Sequence, residues 1–334
     1  MSAALASAMP DANRLRLSVA LCTYNGGAYL DEQLQSILNQ SRLPDEVVIC
    51  DDASTDRTTD IARKFAATAN FPVRVSINES NVGSTRNFEK AIRLCEGDVV
   101  VLSDQDDCWY ETRLSMLEQP FLSNPSVGLV FSDADLMDEN SRLLGKRYWK
   151  THGLSESRSK QMGEGRALDV LLRHNVVCGA TMAFHSELRD IVLPIPDMAV
   201  HDLWIALIAS VVSEIRALPV PLIKYRKHLG QQIGVLYYDF WESLAKAKQI
   251  GAAEYLRHAL LYAMARDRIR QYRSGRDLEK KIHLVDGKAK HMSMRAAIPA
   301  ARWKRLPLIL RQTVNGDYFR YSEGYKSIAK DLVA

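Results

Sequence analysis

The sequence predicts an α/β protein: a mostly parallel central sheet with helices on both faces. Three observations predict it. Short runs rich in Val, Leu and Ile alternate three times with amphipathic runs of helical period before residue 104. Each of these apolar runs gives way to a polar string, the position where open α/β sheets bind ligands. There is no internal repeat and no low-complexity segment.

The elements follow in order. Residues 17–22, Leu-Ser-Val-Ala-Leu-Cys, are expected as the first strand, ending in Thr23-Tyr24-Asn25-Gly26-Gly27. Residues 28–39 are expected as a helix because Leu30, Leu34, Ile37 and Leu38 share one face. Residues 46–50 form the second strand, followed by Asp51-Asp52-Ala53-Ser54-Thr55-Asp56; Ser54 or Thr55 is expected to cap a helix over 56–69. A third strand is expected at 73–77, a loop at 78–83, a helix at 85–95 and a fourth strand at 98–102. Beyond it the pattern predicts a helix at 109–122 and a strand at 127–132. Residues 140–166, rich in Ser, Gly and charge, read as a mobile connection. A strand under the site is expected at 176–184 and a helix at 203–212. Pro219 and Pro221 are expected to push a strand at 215–225 to a sheet edge. From Tyr238 the chain becomes helical, basic and rich in Tyr and Trp. The expected organisation is a flexible start (1–16), one α/β unit (17–236) with halves at about 17–110 and 111–236, and a basic helical region (237–334).

Composition narrows the function class. Of 334 residues, 47% are apolar and 25% charged, ordinary values for a globular protein. The longest apolar candidate, 203–212, is about half the length a membrane span needs. The small, apolar start lacks basic residues, so a frayed terminus is expected rather than a signal peptide. Five cysteines without a C-x-x-C pair, several inside apolar runs, suggest reduced thiols and a cytoplasmic protein. The net charge of +4 is unevenly spread. From Tyr238 onward there are 20 Lys+Arg against 10 Asp+Glu, which leaves the preceding part net acidic. Such a basic region suits anionic lipid headgroups, nucleic acid or plain solubility. Trp303, beside Arg302, Lys304 and Arg305 and ahead of Leu306-Pro307-Leu308-Ile309-Leu310, suits a membrane interface or an amphipathic helix packed on the body.

The chemistry is concentrated after the fourth strand, in Ser103-Asp104-Gln105-Asp106-Asp107. Carboxylates this close repel one another unless a divalent cation lies between them. Magnesium takes one or two carboxylates, phosphate oxygens and water. The stretch therefore points to a cation held against a diphosphate, with a solvated acidic turn as the alternative. Dinucleotide binding is disfavoured, since Thr23–Ala28 does not fit G-x-G-x-x-G. No G-x-x-x-x-G-K-S/T loop is present. A haloacid-dehalogenase-type phosphatase would carry its D-x-D on the first strand. Asp202, at the start of a predicted helix, suits a rigidly held base or a helix-terminal acid favoured by the dipole.

Four features occur in order: Thr23-Tyr24-Asn25, Asp51-Asp52-Ala53-Ser54-Thr55-Asp56, Asn81-Val82-Gly83 with Arg86-Asn87, and Asp104-Gln105-Asp106. Together they resemble the GT-A glycosyltransferases of family 2, inverting enzymes that use nucleotide-diphosphate sugars. The resemblance covers about residues 17–234. Ser-Asp-Gln-Asp-Asp-x-Trp, His-Asp-x-Trp and Tyr-Arg-x-His are similar to the bacterial rhamnosyltransferase-like branch, which often builds O-antigen, capsule or cell-wall polysaccharide. The implied fold is GT-A, Rossmann-like, with a C-terminal helical extension.

The resemblance also implies roles. Asp52 would accept from a pyrimidine N–H, and Thr23, Tyr24 and Asn25 would line the base and ribose pocket. Arg86 and Gln105 would approach the nucleotide, and Asp104 would touch ribose or metal-bound water. Asp106 would ligate Mg²⁺ or Mn²⁺, with His228 reaching the metal or the diphosphate. Arg226 and Lys227 would add positive charge, and Asp107 would orient the loop. Asp202 would be the general base; Trp204 and Trp109 would meet the acceptor, with a core aromatic as the alternative for Trp204. The implied donor is dTDP- or UDP-linked and the acceptor a saccharide, lipid-linked in this reading. No nucleic-acid partner is expected, and the location is cytoplasmic with a peripheral contact at the inner face of the membrane. A Q-x-x-R-W signature is absent, so one sugar per binding event is expected. The alternative function is a catalytically idle scaffold for polysaccharide assembly.

Overall fold

The structure, a computed structural model, describes residues 14–228, 251–272, 275–299 and 301–333. Nine strands appear among them: β1 Leu17–Thr23, β2 Glu46–Asp51, β3 Val73–Ile77, β4 Val99–Ser103, β5 Cys108–Trp109, β6 Val127–Met137, β7 Leu143–Arg147, β8 Met182–His185 and β9 Glu214–Arg226. They form one sheet in the order β3-β2-β1-β4-β8-β6-β9-β5, with β7 paired to β6. β1 to β4 are mutually parallel. β8 runs antiparallel between β4 and β6, so the second half is mixed. β1 is buried at all seven positions and β4 at all five, which requires cover on both faces and explains their unbroken apolar sequences.

The first helices are α1 Leu30–Leu38, α2 Thr58–Thr68, α3 Ser84–Leu94 and α4 Arg113–Ser123. Strand order turns around β1, which has β2 on one side and β4 on the other. This switch point opens a crevice at the carboxyl ends of β1, β2 and β4. The acid-bearing strings stand on that rim.

Several local expectations change. Neither Ser54 nor Thr55 caps α2; Asp56 does the comparable work, accepting from Thr58 N at 3.0 Å and Gly27 N at 3.0 Å. Cys108 and Trp109 pair with β9 as β5, so the helix expected from 109 starts at Arg113. Residues 179–181 form a 3-10 turn before β8. Residues 140–166 are ordered, because Trp149 anchors them: its N–H reaches Asp133 Oδ1 at 2.9 Å and its indole N–H reaches Ser132 O at 3.1 Å. Irregular spacing of Tyr148, Trp149, Leu154 and Met162 hid this segment from periodicity. β9 lies inside the sheet between β6 and β5, and its prolines fall where the β6–β9 register shifts, the other position that tolerates proline.

After the undescribed stretch 229–250, where the expected boundary near 236 falls, helices run over Ala252–Tyr272, Arg276–Ala296, Arg302–Val314, Asp317–Tyr321 and Tyr325–Val333. They are tied together by a buried bidentate pair, Arg295 to Asp331 at 2.6 and 2.8 Å, which Tyr318 Oη joins at 2.7 Å. They dock on the sheet unit through Arg268, which donates to the carbonyls of Ile191 and Leu193, and Lys281, which donates to those of Ser210 and Val211. Of the expected flexible start, residues 1–13 lie outside the described residues; Arg16 N is held by Asp98 Oδ2 at 2.8 Å. Among the described residues no helix is long and apolar enough to cross a membrane.

Candidate active site

The rim is built by cross-links between loops. Thr23 Oγ1 donates to Asp51 Oδ1 at 2.7 Å, joining the ends of β1 and β2. Asn25, at φ 48°, accepts from Thr55 N at 2.9 Å and donates its own N–H to Ser54 Oγ at 2.8 Å. Gln105 bridges β4 to β1: its Oε1 accepts from Tyr24 N at 2.8 Å and its Nε2 donates to Tyr24 O at 3.0 Å. Gly26 is required beneath it, since a Cβ there would stand 2.0 Å from Gln105 Oε1. The Tyr24 side chain remains exposed.

Asp52 is buried at the end of β2. Its carboxylate accepts from Asn78 Nδ2 (2.8 Å), Val82 N (2.9 Å) and Gly83 N (2.9 Å), so it folds the 78–83 loop against the rim. Three of about four lone-pair positions are used, leaving one for a ligand N–H.

The acidic cluster lies partly below the surface. Burial, with the neighbouring charges of Asp106 and Asp202, pushes Asp104 up to about 7, against a smaller lowering by Arg113. Burial and the charges of Asp106 and Asp104 also push Asp107 well up. Asp106 Oδ2 meets His228 Nε2 at 2.8 Å. Asp107 accepts from Arg226 N at 3.1 Å, and Arg226 Nε donates to Asp106 O at 2.7 Å. Arg226 is fully buried and also pairs with Glu32 at 2.6 Å. It therefore clamps the acidic loop onto the end of β9 rather than offering its charge to a diphosphate.

Asp202 sits in the first turn of the helix His201–Val212. Its Oδ1 accepts from Asn175 Nδ2 at 3.2 Å and from the N–H of Leu203; its Oδ2 accepts from Gly179 N at 3.3 Å. Burial outweighs these bonds and raises Asp202 to about 6. A carboxyl at that value ionises at neutral pH and still holds a proton usefully, as a general base requires.

Other expected residues are placed differently. Trp204 is wholly buried, with its indole N–H donating to Val192 O at 2.8 Å; it is a core aromatic without a face for an acceptor. Trp109 is 4% exposed, covered by the Arg113 guanidinium 4.3 Å from its ring centre, and also lacks a free face. The Arg86 guanidinium turns to Asp197 and Glu89, so its charge is matched on the outer side of α3. The Thr23 side chain is buried in its bond to Asp51 and lines no open pocket.

Sequence reasoning missed Arg113, Asn175, Gly179 and the clamping role of Arg226. Arg113 is buried under the acidic cluster, where Nη2 donates to Leu102 O and Ala180 O while Nε and Nη1 have no hydrogen-bond partner. Burial lowers it to about 9, with the Asp107 and Asp104 charges acting against that. In sequence it looks like any residue early in a surface helix. Asn175 and Gly179 belong to a loop that meets Asp202 only through the fold.

Asp104, Asp106 and His228 suit a hard divalent cation in donor type, and Asp104 is raised by burial and by its acidic neighbours Asp106 and Asp202, with Arg113 offsetting only part of that. Among the described residues no group of three or more His, Cys, Asp or Glu side chains forms a preset cage. A cation of the magnesium kind takes one or two protein carboxylates and completes its shell with phosphate and water.

Comparison with known proteins places this geometry. Residues 18–188, just over half of the chain, match the sequence pattern of glycosyl transferase family 2. An uncharacterized glycosyltransferase of Nostoc is 27% identical over 221 residues, 64% of this chain and 65% of that protein. The dTDP-rhamnosyl transferase RfbG of Shigella flexneri is 32% identical over 125 residues, 36% of this chain and 40% of that protein. The chain thus spans less than two thirds of the length of these relatives. In structure it is similar to S. aureus TarS, solved with UDP-GlcNAc (TM-score 0.55, 19% identity, 94% of this chain and 90% of that one). It is also similar to a mannosyltransferase of Pyrobaculum calidifontis, solved with GDP-Man and Mn²⁺ (TM-score 0.52, 21% identity, 96% and 85%). The fold is GT-A, and the chain belongs to glycosyl transferase family 2.

Proposed function

We propose that the protein is an inverting, metal-dependent glycosyltransferase that moves one sugar from a dTDP- or UDP-linked donor to a saccharide acceptor in bacterial surface polysaccharide synthesis. Residues 17–236 form its catalytic unit and 237–334 a helical extension. The observation that supports this reading is geometric: Arg113 donates to Leu102 O near the end of β4 and to Ala180 O, next to Gly179, whose N–H meets Asp202. One buried side chain thus joins the strand that ends in the acidic cluster to the loop that holds Asp202. Rhamnose is the sugar favoured by the likeness to the Shigella transferase.

Asp202 takes the proton of the acceptor hydroxyl at one of its carboxylate oxygens. The freed oxygen pair attacks the anomeric carbon, and the bond to the nucleoside diphosphate breaks from the opposite side. Asn175, Gly179 N–H and Leu203 N–H hold the base in place. Tyr24 and the remaining lone pair of Asp52 receive the base of the donor. Asp106, Asp104 and His228 would hold Mg²⁺ or Mn²⁺, which would supply positive charge against the diphosphate leaving group. Trp303, Leu306 and Leu310, exposed at 73%, 50% and 60% on the helix Arg302–Val314, support a peripheral membrane contact.

Thermal melting against a panel of sugar nucleotides, with and without Mn²⁺, tests the reading. A donor bound only by the folded state raises the melting temperature. A rise that depends on Mn²⁺ for a dTDP- or UDP-sugar is expected; no shift with any donor would overturn the reading.

A further inference from the structure

Two adjoining cavities of about 400 and 520 Å³ lie at the C-terminal helices, the first among those helices and the second where they meet residues 166–173. They share Leu284 and Arg320 as walls. Arg311 lines the first and Arg173 the second. Arg173, Arg311 and Arg320 make no ion pair among the described residues. Arg320 and Arg311 both act on the single acid Asp317, so their guanidiniums face the same space. Asp317 is thus shared between two guanidiniums, and Asp169 on the second cavity's wall is paired with Arg166. Lys290 adds a further cation to the first, so positive charge is in excess around the two cavities. A phosphate group offsets that excess and fits the planar forks of the guanidiniums.

The surroundings are apolar on one side. Phe319 and Leu284 contribute to the second cavity's wall. Arg311 follows Leu310, one of four exposed apolar residues, Trp303, Leu306, Leu310 and Val314, spaced three or four apart on one helix. A basic concavity beside an exposed apolar stripe is the complement of an amphiphile with a phosphate head. Arg173 also stands two residues before Asn175, which holds Asp202.

We propose that this cleft binds the phosphate or diphosphate head of a membrane lipid, whether an anionic phospholipid or the lipid that carries the acceptor. The proposal rests on the membrane contact included in the functional reading, and it assigns that contact to a defined site.

The full chain and its R311Q/R320Q variant are sedimented with three kinds of vesicle. These are phosphatidylcholine alone, phosphatidylcholine with phosphatidylglycerol, and phosphatidylcholine with a polyprenyl diphosphate. Wild type is expected on one or both phosphate-rich vesicles and not on phosphatidylcholine alone. The variant should bind them roughly tenfold or more weakly. Retention only with polyprenyl diphosphate assigns the site to the acceptor's carrier; retention with phosphatidylglycerol assigns it to the bilayer. Both exchanged residues are exposed, and an unchanged melting temperature verifies that the variant folds. Its sugar-nucleotide shift should equal that of wild type, so this test and that of the transferase reading fail independently. Equal retention of variant and wild type, or no retention of either, overturns the proposal. Stabilisation by inorganic diphosphate without any vesicle binding overturns the lipid assignment.

Discussion

His228 Nε2 lies 2.8 Å from Asp106 Oδ2, across 122 positions of sequence. The imidazole follows the end of β9 and the carboxylate follows β4, so folding alone brings them together. If Asp106 holds the cation as proposed, a His beside it either shares that cation or orients the acid. Either way its loss weakens binding by about 10–100-fold. His228→Ala should raise the Mn²⁺ concentration needed for donor-dependent stabilisation by at least about tenfold. An unchanged Mn²⁺ titration would remove His228 from the site.

Arg226 bonds the backbone of Asp106 and pairs with Glu32 from a fully buried position. Arg226→Met should cost about 3 kcal/mol, as when a buried charge pair loses one member. Denaturant unfolding measures that loss. Because the clamp sets the acidic loop, donor affinity should fall with stability. A variant as stable as wild type would mean that the loop is held by other bonds.

Burial raises Asp202 to about 6. As a base it must be ionised, so kcat/KM should climb roughly tenfold per pH unit below about 6 and level off above. The raised value also means that the folded chain holds more protons than the unfolded one between about pH 4 and 6. Asp202 therefore weakens the fold as pH rises through that window, and Asp202→Asn should abolish that part of the slope. A rate profile flat from pH 5 to 8 would contradict the assignment.

Gly179 carries the N–H that meets Asp202 Oδ2, and a Cβ on it would stand 2.5 Å from His201 Nε2. Gly179→Ala should displace that loop, cost about 1–3 kcal/mol of stability and lower kcat more than donor affinity. His201 stacks on Phe88 with centroids 4.1 Å apart, and neither ring nitrogen has a hydrogen-bond partner. Trimming it in the double variant G179A/H201A should recover part of the lost kcat. No recovery would show that the clash is not the cause.

The parallel half of the sheet was legible because β1, β2 and β4 are buried on both faces and read as unbroken apolar runs. The reach of Asp106 and Asp104 at a strand end was legible for the same reason. Segment 140–166 was not, since its order comes from single anchors such as Trp149 rather than from a period. For Trp204 the sequence left two readings open, because a core indole and a ligand-stacking indole look the same there; its complete burial and its bond to Val192 O decide for the core. Arg113 left no local signal, because its place under the acids depends on where β4 and the 178–181 turn meet α4.

The account turns on one base facing one acid-held diphosphate. Sugar transfer by Asp202→Asn, measured alongside its Mn²⁺-dependent donor binding, tests this most directly. Transfer should fall by at least about a hundredfold, the lower range for losing a general base, while donor binding stays close to wild type. Transfer at the wild-type rate would contradict the account.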